Sequence, residues 1–254
     1  MKKFLKKESF KSDEEVQSIV KDIKENSFSV VPDFFTEDEC NELREEIDRL
    51  IEKRRVEGSL WTDELDADNR CFAAEDDSEL VKKYYENPFL LSVAENYFGA
   101  KIGCSNTLAA RISYKKENVG SGLGWHKDGN NFQFKAIVYL SDVEIKDGPF
   151  QLIAGSHKFS NVLKDTITMN EDGVNTRFTH EQVEKVIDNN PDNYNILTAK
   201  AGTLVFVDVS SIHSGMPLSE SGRRYTLFNY YYPSYEVEKR KEFFKNVVKA
   251  KKYA

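Results

Sequence analysis

Apolar and polar positions divide the chain into a helical first part and a strand-rich second part. Within residues 12–26, apolar residues recur at spacings of three and four, which predicts a short amphipathic helix. Residues 36–51 carry a longer stripe of the same kind. Thr36-Glu37-Asp38-Glu39 at its start is a capping box, with threonine at the N-cap and glutamate at N3. A third helical stretch is predicted at about residues 78–97, with a kink or a boundary at Pro88.

From residue 101 onward the helical period gives way to short runs of β-branched and aromatic residues separated by turns. These predicted strands lie at residues 102–114, 134–140, 150–153, 203–207 and 224–232. A further short strand is predicted at residues 29–31, where Pro32 closes it. Helices followed by many short strands predict a mainly β protein with flanking α-helices. We expect a double-stranded β-helix of the jelly-roll, cupin-like kind.

The pattern is interpreted as one domain over residues 1–254, without an interdomain linker. Residues 1–100 are expected to form an N-terminal helical flank and residues 101–233 the β core. A polar stretch at residues 159–200 is interpreted as an insertion between strands of the core. Residues 234–254 are predicted to form a basic C-terminal helix.

Composition narrows the range of partners and compartments. The net charge of −7 argues against nucleic acid, which normally requires a basic face. The basic start of the chain lacks the apolar region of a secretory signal, and no apolar run is long enough to cross a membrane. The 3 cysteines are widely spaced, which favours a reducing compartment. We therefore expect a cytoplasmic protein, a monomer or small homo-oligomer, with neither a nucleic acid nor a membrane as partner.

The candidate chemistry centres on Gly124-Trp125-His126-Lys127-Asp128, at the edge of a strand-rich segment. Side chains at positions i and i+2 of a strand point to the same face, so His126 and Asp128 can approach one ion. His213 follows a later strand and would complete two imidazoles and one carboxylate, the facial triad of non-haem Fe(II). With 4 histidines and 43 acidic residues, about 0.7 matches to His-x-Asp/Glu are expected by chance. The motif therefore depends on its context.

An arginine pair ten residues beyond His213 supplies part of that context. The three open positions of such an iron site can hold a 2-oxo acid and O2, and the far carboxylate of the acid then needs a bidentate partner. Arginine offers a rigid fork for this purpose and lysine does not. Because side chains alternate along a strand, only one of Arg223 and Arg224 can point into the barrel.

Several segments together resemble the phytanoyl-CoA dioxygenase family of Fe(II)/2-oxoglutarate-dependent oxygenases, over roughly residues 28–233. The segments that carry the resemblance are Val31-Pro32-Asp33-Phe34-Phe35-Thr36, Gly124-Trp125-His126-Lys127-Asp128, Asp147-Gly148-Pro149-Phe150, Gly155-Ser156-His157-Lys158, Gly202-Thr203-Leu204-Val205-Phe206, His213 and Arg223-Arg224. The resemblance implies Fe(II), 2-oxoglutarate and O2 as cofactor and cosubstrates. It also implies a catalytic metal site whose ligands are His126, Asp128 and His213.

The resemblance offers two criteria for choosing between Arg223 and Arg224 as the 2-oxoglutarate ligand. In the family an aromatic residue follows the arginine after seven positions, and Tyr230 satisfies this from Arg223 while Tyr231 satisfies it from Arg224. The family's arginine also tends to precede a second basic residue, which favours Arg223 as the 2-oxoglutarate ligand.

Two further polar residues are candidates for contact with 2-oxoglutarate. Tyr114 stands at the end of a predicted strand, and Asn131 lies just beyond Asp128.

Two functions from different classes are considered. The first is a dioxygenase that hydroxylates a small-molecule metabolite and releases succinate and CO2. Asp128 supports hydroxylation, because relatives that halogenate have a small residue at that position. The alternative is a jelly-roll protein that binds a metal or ligand and does not use 2-oxoglutarate. Nothing in the sequence selects a substrate, which residues 56–78, interpreted as a long loop, and the insertion at 159–200 are expected to determine.

Overall fold

The computed structural model describes residues 13–129, 133–171 and 173–251. The helices in these ranges are α1 (Asp13–Asn26), α2 (Glu37–Val56), α3 (Glu79–Tyr85), α4 (Pro88–Phe98), α5 (Phe159–Met169), α6 (His180–Asn189) and α7 (Val237–Lys251). The strands are β1 (Phe28–Val31), β2 (Trp61–Thr62), β3 (Asp68–Cys71), β4 (Ile102–Ser113), β5 (Phe134–Tyr139), β6 (Phe150–Ile153), β7 (Tyr194–Leu197), β8 (Leu204–Asp208), β9 (His213–Gly215) and β10 (Arg223–Pro233). Among the described residues, none of the helices is long and apolar enough to cross a membrane.

The strands form two antiparallel sheets. The larger sheet has seven strands in the order β1-β8-β5-β10-β4-β3-β2, and the smaller has three in the order β7-β6-β9. Residues of both sheets line one cavity, which therefore lies between them. This arrangement confirms the prediction of a mainly β, double-stranded β-helix with flanking helices.

The helices of the N-terminal part cover the outer face of the larger sheet. The predicted capping box of α2 is present, because the Thr36 hydroxyl accepts the Glu39 N–H (3.3 Å) and the Glu39 carboxylate accepts the Thr36 N–H (2.7 Å). The apolar stripe of α2 is buried in one cluster with Tyr225 and Leu227 of β10. Along β10, Tyr225 and Leu227 alternate with the residues that face the cavity. Packing of the helices on the outer face therefore fixes which side chains of β10 point inward.

Of the two alternatives at Pro88, the structure shows the boundary: the stretch predicted at 78–97 is two helices, because Pro88 begins α4 and the Asn87 side chain caps it. Two other regions differ from the sequence-based description. Residues 56–78, predicted as a loop, contain β2 and β3, which extend the larger sheet beyond β4. The insertion at 159–200 contains α5, α6 and β7, and β7 pairs with β6 as the outer strand of the smaller sheet.

Candidate metal centre

Backbone pairing brings the three predicted ligands together. The His126 N–H donates to the His213 carbonyl oxygen and the His213 N–H to that of His126, each over 2.9 Å. The Asp128 N–H donates to the carbonyl of Val209 (3.0 Å), while the intervening Lys127 N–H donates to Thr176 on the other side (2.8 Å). His126 and Asp128 therefore point toward the same side of an extended segment, as their spacing predicts.

The three side chains converge on one point between the sheets. One ligand atom from each of His126, Asp128 and His213 lies within 4.8 Å of the others. The Asp128 Oδ1 atom is 3.3 Å from Nε2 of His126 and 3.8 Å from Nε2 of His213. This separation suits three ligands around one metal ion.

Hydrogen bonds determine which ring nitrogen carries the proton in each of the two imidazoles. Nδ1 of His126 lies 2.8 Å from the Gly124 carbonyl oxygen, and Nδ1 of His213 lies 2.9 Å from that of Ser211. A carbonyl oxygen can only accept, so each Nδ1 carries the proton and donates it. The lone pair of each Nε2 atom is thereby directed at the common point, as in metal-ligating histidines.

The charges of these groups suit a divalent cation. Burial lowers the pKa of His213 to about 3, so its imidazole is neutral at neutral pH. Burial opposes ionisation of Asp128, but Lys135 and the two imidazoles outweigh it and hold the pKa of that carboxyl well below its usual value. Two neutral nitrogens and one carboxylate oxygen are the donor set of non-haem Fe(II) sites with open positions. The residues present fit the iron that the sequence resemblance implies.

Lys135 of β5 is a charged residue of the site that the sequence analysis missed. Its Nζ atom forms an ion pair with Oδ2 of Asp128, which leaves Oδ1 facing the histidines. The same ammonium lies 4.6 Å from the ring centroid of Tyr230. A signal existed in the sequence, because Lys135 shares the alternation of Ile137 and Tyr139 in an otherwise apolar strand, where an unpaired lysine is seldom buried.

Beside the triad lies a cavity of about 600 Å³, to which Arg224 contributes. Arg224 is only 3% exposed, and its Nε and Nη1 atoms have no hydrogen-bond partner among the described residues. The Oγ1 atom of Thr226, on the same face of β10, is also buried without a partner. A buried guanidinium with two unsatisfied nitrogen atoms is costly, so this part of the cavity is suited to bind an anion.

The prediction that Arg223 points into the barrel is wrong. Arg223 is exposed on the opposite face of β10, whereas Arg224 lines the cavity. The alternation itself was predicted correctly, but the sequence did not show which face packs against the helices. Tyr225 and Leu227 take that face, and Arg224 consequently turns inward.

Of the two other predicted cosubstrate residues, only Tyr114 is among the described residues, and it lies away from the cavity. Tyr114 follows β4 and its N–H donates to the Gly222 carbonyl oxygen (2.9 Å), and Tyr114 is not among the residues that line the cavity. Asn131 lies outside the described residues.

Gly122 leaves room for the His126 ring. A Cβ atom built on Gly122 would lie 2.4 Å from Cε1 of His126, and the φ of Gly122 is +85°, a conformation that favours glycine. Any larger residue here would push the imidazole away from the other two ligands.

Comparison with known proteins gives a consistent set of relatives. The family model of phytanoyl-CoA dioxygenase matches residues 23–225. The ectoine dioxygenase of Stutzerimonas stutzeri (strain A1501) is 22% identical over 235 residues, which cover 84% of this chain and 75% of the relative.

Two solved structures share the fold at low sequence identity. EctD from S. alaskensis with bound Fe has a TM-score of 0.66 and 16% identity, covering 89% of this chain and 78% of the other. HygX from Streptomyces hygroscopicus, with nickel and 2-oxoglutarate bound, has a TM-score of 0.64 and 16% identity, covering 86% and 87%.

Proposed function

Because the chain belongs to the phytanoyl-CoA dioxygenase family, we propose that His126, Asp128 and His213 bind Fe(II) for the oxidation of a small molecule. The family match and the dioxygenase relative identify the chain as an Fe(II)- and 2-oxoglutarate-dependent dioxygenase. One observation carries the proposed site. The convergent triad lines the same cavity as Arg224, whose Nε and Nη1 atoms have no hydrogen-bond partner among the described residues.

Different residues of the chain bind the iron and the cosubstrate. The two imidazoles and the carboxylate would hold the iron and leave room beside it for the cosubstrate and O2. Arg224 receives the far carboxylate of 2-oxoglutarate through its Nε and Nη1 atoms, and the Thr226 hydroxyl donates a further hydrogen bond. When bound, iron supplies the O2 activation that couples decarboxylation of 2-oxoglutarate to succinate with oxidation of the substrate.

The walls of the cavity protect this chemistry from water. The site lies between two sheets, with His213 only 3% exposed and Phe150 stacked on its ring at a centroid distance of 5.2 Å. Excluding water favours reaction with the substrate over side reactions of the oxidant.

Hydroxylation is the outcome that the ligand set favours. Asp128 occupies the position through which a halide would reach the iron, and Lys135 holds the carboxylate in place. The alternative of a jelly-roll binding protein that does not use 2-oxoglutarate gives Arg224 and Thr226 no role. We further propose a monomer or small homo-oligomer of one domain over residues 1–254. It acts in the cytoplasm on a small molecule, with neither a nucleic acid nor a membrane as partner.

An anaerobic titration tests the proposed function. Wild-type protein with Fe(II) is mixed with 2-oxoglutarate, and a visible charge-transfer band is expected because the 2-oxo acid chelates the metal. His126→Ala is expected to abolish both the band and the release of succinate on exposure to O2. A wild-type protein that shows no band, or a His126→Ala variant that releases succinate at the wild-type rate, would contradict the proposal.

A further inference from the structure

The cavity has two ends, which the register of β5 and β10 defines. Thr226 lies opposite Tyr139, and Tyr230 lies opposite Lys135. At about 3.3 Å per residue, the backbones of Arg224 and Tyr230 are roughly 20 Å apart along β10. The end at Arg224 is assigned above to 2-oxoglutarate, which extends from the metal toward Arg224. The end at Lys135 remains for the substrate.

An aromatic wall lines this second end, which we name the Lys135 end. Residues Phe72, Leu108, Tyr232 and Phe244 form one buried cluster, with Phe228 and Tyr230 packed against it. Helix α7 closes the wall, because Phe243 and Phe244 line the cavity. Such a surface binds the apolar part of a ligand, while a few polar groups fix its orientation.

Cations dominate the charged groups of the whole cavity, although the chain carries a net charge of −7. The basic side chains that line it are Arg70, Lys127, Lys135, Arg177, Arg224 and Arg240. Asp128 is the only carboxylate among the described lining residues. A cleft of one sign concentrates ligands of the opposite sign, whatever the charge of the rest of the molecule.

Two of these cations already have a carboxylate partner outside the cavity lining. Arg70 forms a two-pronged pair with Asp68. Arg240 bonds to Glu236 over 3.0 Å. Lys135 differs from both, because its partner is Asp128, the proposed ligand of the iron.

Metal binding changes the charge balance at Lys135. Once Asp128 shares its negative charge with a divalent cation, it no longer neutralises the ammonium. One carboxylate of 2-oxoglutarate would balance the remaining positive charge of the iron, and Arg224 would balance the far carboxylate. Lys135 then has a positive charge in a largely buried position without a counter-ion, and such a charge is costly unless an anion pairs with it.

We propose that the substrate is an anionic small molecule whose carboxylate or phosphate group pairs with Lys135 and whose apolar part packs on the aromatic wall. This inference rests on the proposed function, because it places iron and 2-oxoglutarate at the triad and Arg224. It also constrains the reaction. Lys135 contacts Asp128, a proposed ligand of the iron, on the side of the carboxylate away from the histidines. The anionic group that pairs with Lys135 would therefore lie near the metal, and the oxidised carbon would be close to that group in the substrate.

A binding experiment with matched probes tests the substrate class without relying on turnover. Protein loaded with Ni(II), which does not activate O2, and with 2-oxoglutarate is titrated with phenylacetate, its neutral isostere phenylacetamide, and phenyl phosphate. We expect at least one of the two anions to bind about tenfold or more tightly than the amide. Comparing the affinities of phenylacetate and phenyl phosphate shows which anionic group the site prefers. Equal affinity of the amide and both anions, or binding of no anion, overturns the proposal.

Variants of Lys135 test the assigned residue. Lys135→Gln keeps a hydrogen-bond donor to Asp128 without the charge, and we expect it to lose the preference for the anion. Lys135→Arg is expected to retain the preference, as is the control Lys115→Met, which removes an exposed lysine beyond β4. A preference that persists in Lys135→Gln overturns the assignment.

Affinities for Ni(II) and 2-oxoglutarate are measured in every variant before the probes are added. Wild-type protein that fails to bind these two ligands contradicts the proposed function. Wild-type protein that binds them and does not distinguish acid from amide contradicts only the substrate class.

Discussion

The backbones of His126 and His213 lie directly opposite each other, and each N–H donates to the other's carbonyl oxygen over 2.9 Å. This reciprocal pair fixes the distance between the two chain segments. It holds the imidazole rings at a centroid separation of 4.3 Å. The two proposed nitrogen ligands are therefore positioned by the fold, and a metal ion that enters the site does not have to order them.

The first prediction uses Gly122 to disturb this arrangement. Gly122→Ala places a methyl group 2.4 Å from Cε1 of His126, so the ring must rotate or shift. We expect the affinity for Fe(II) or Ni(II) to fall by about 10–100-fold, the range known for changes that misorient a metal ligand. The measurement is calorimetric titration of the metal into chelator-treated protein.

Gly58→Ala is the matched control for this change. Gly58 also has a left-handed backbone, with a φ of +67°, but a Cβ atom there meets nothing within 4 Å and the residue is not part of the site. Both variants bear the backbone strain of a left-handed alanine, roughly 1–2 kcal/mol of unfolding free energy. Only Gly122→Ala is expected to lose metal affinity. Equal losses in the two variants would attribute the effect to backbone strain alone.

The second prediction separates the adjacent arginines. Arg224→Ala removes the two charge-assisted hydrogen bonds that we propose for 2-oxoglutarate, together worth about 3 kcal/mol, so the dissociation constant of 2-oxoglutarate should rise roughly 100-fold. Arg224→Lys should recover little, because lysine lacks the bidentate fork. Arg223→Ala changes an exposed residue and should bind 2-oxoglutarate like wild type. The measurement is titration of 2-oxoglutarate into the Ni(II)-loaded protein, and a larger effect at Arg223 would refute the assignment.

The sequence predicted those features that depend on local spacing. Because one residue separates His126 and Asp128, both side chains were predicted to lie on the same side of the chain. The capping box predicted the start of α2. His213 was proposed as the third ligand from its place just past a later strand, and the family resemblance implied the same residue; its distance along the chain carries no information about contact.

Features that depend on long-range packing were not predictable in this way. The choice between Arg223 and Arg224 follows from which face of β10 meets the helices, and that is a property of the assembled sheet. The contact of Lys135 with Asp128 depends equally on how β5 lies beside the metal-binding segment. Strands β2 and β3 show no apolar alternation in the sequence. They were not predicted, because they form by joining the existing sheet edge at β4.

The third prediction concerns the ion pair of Asp128 and Lys135 in metal-free protein. Asp128→Asn leaves a buried ammonium without its counter-ion, which typically costs about 3–5 kcal/mol of unfolding free energy. Lys135→Met in the same background removes the unpaired charge, so the double variant should be more stable than Asp128→Asn alone. Urea unfolding of the four proteins in the presence of a chelator gives the coupling energy. Additive effects of the two substitutions would show that the pair contributes nothing to the folded state.

The last prediction is a pH dependence of stability that arises away from the metal centre. Burial raises the pKa of Glu75 from 4.5 to about 7, although its carboxylate accepts the Thr107 N–H over 2.8 Å. The folded state therefore binds more protons than the unfolded state between these values, and stability falls as the pH rises through this window. Glu75→Gln keeps the acceptor and removes the ionisation, so it should stabilise the protein at pH 8 by at most ~3 kcal/mol and have little effect at pH 4. Urea unfolding of metal-free protein at both pH values measures this difference, and the exposed Glu79→Gln variant, expected to behave like wild type, is the control. A Glu75→Gln protein that gains equal stability at both pH values would show that the ionisation of Glu75 is not the cause.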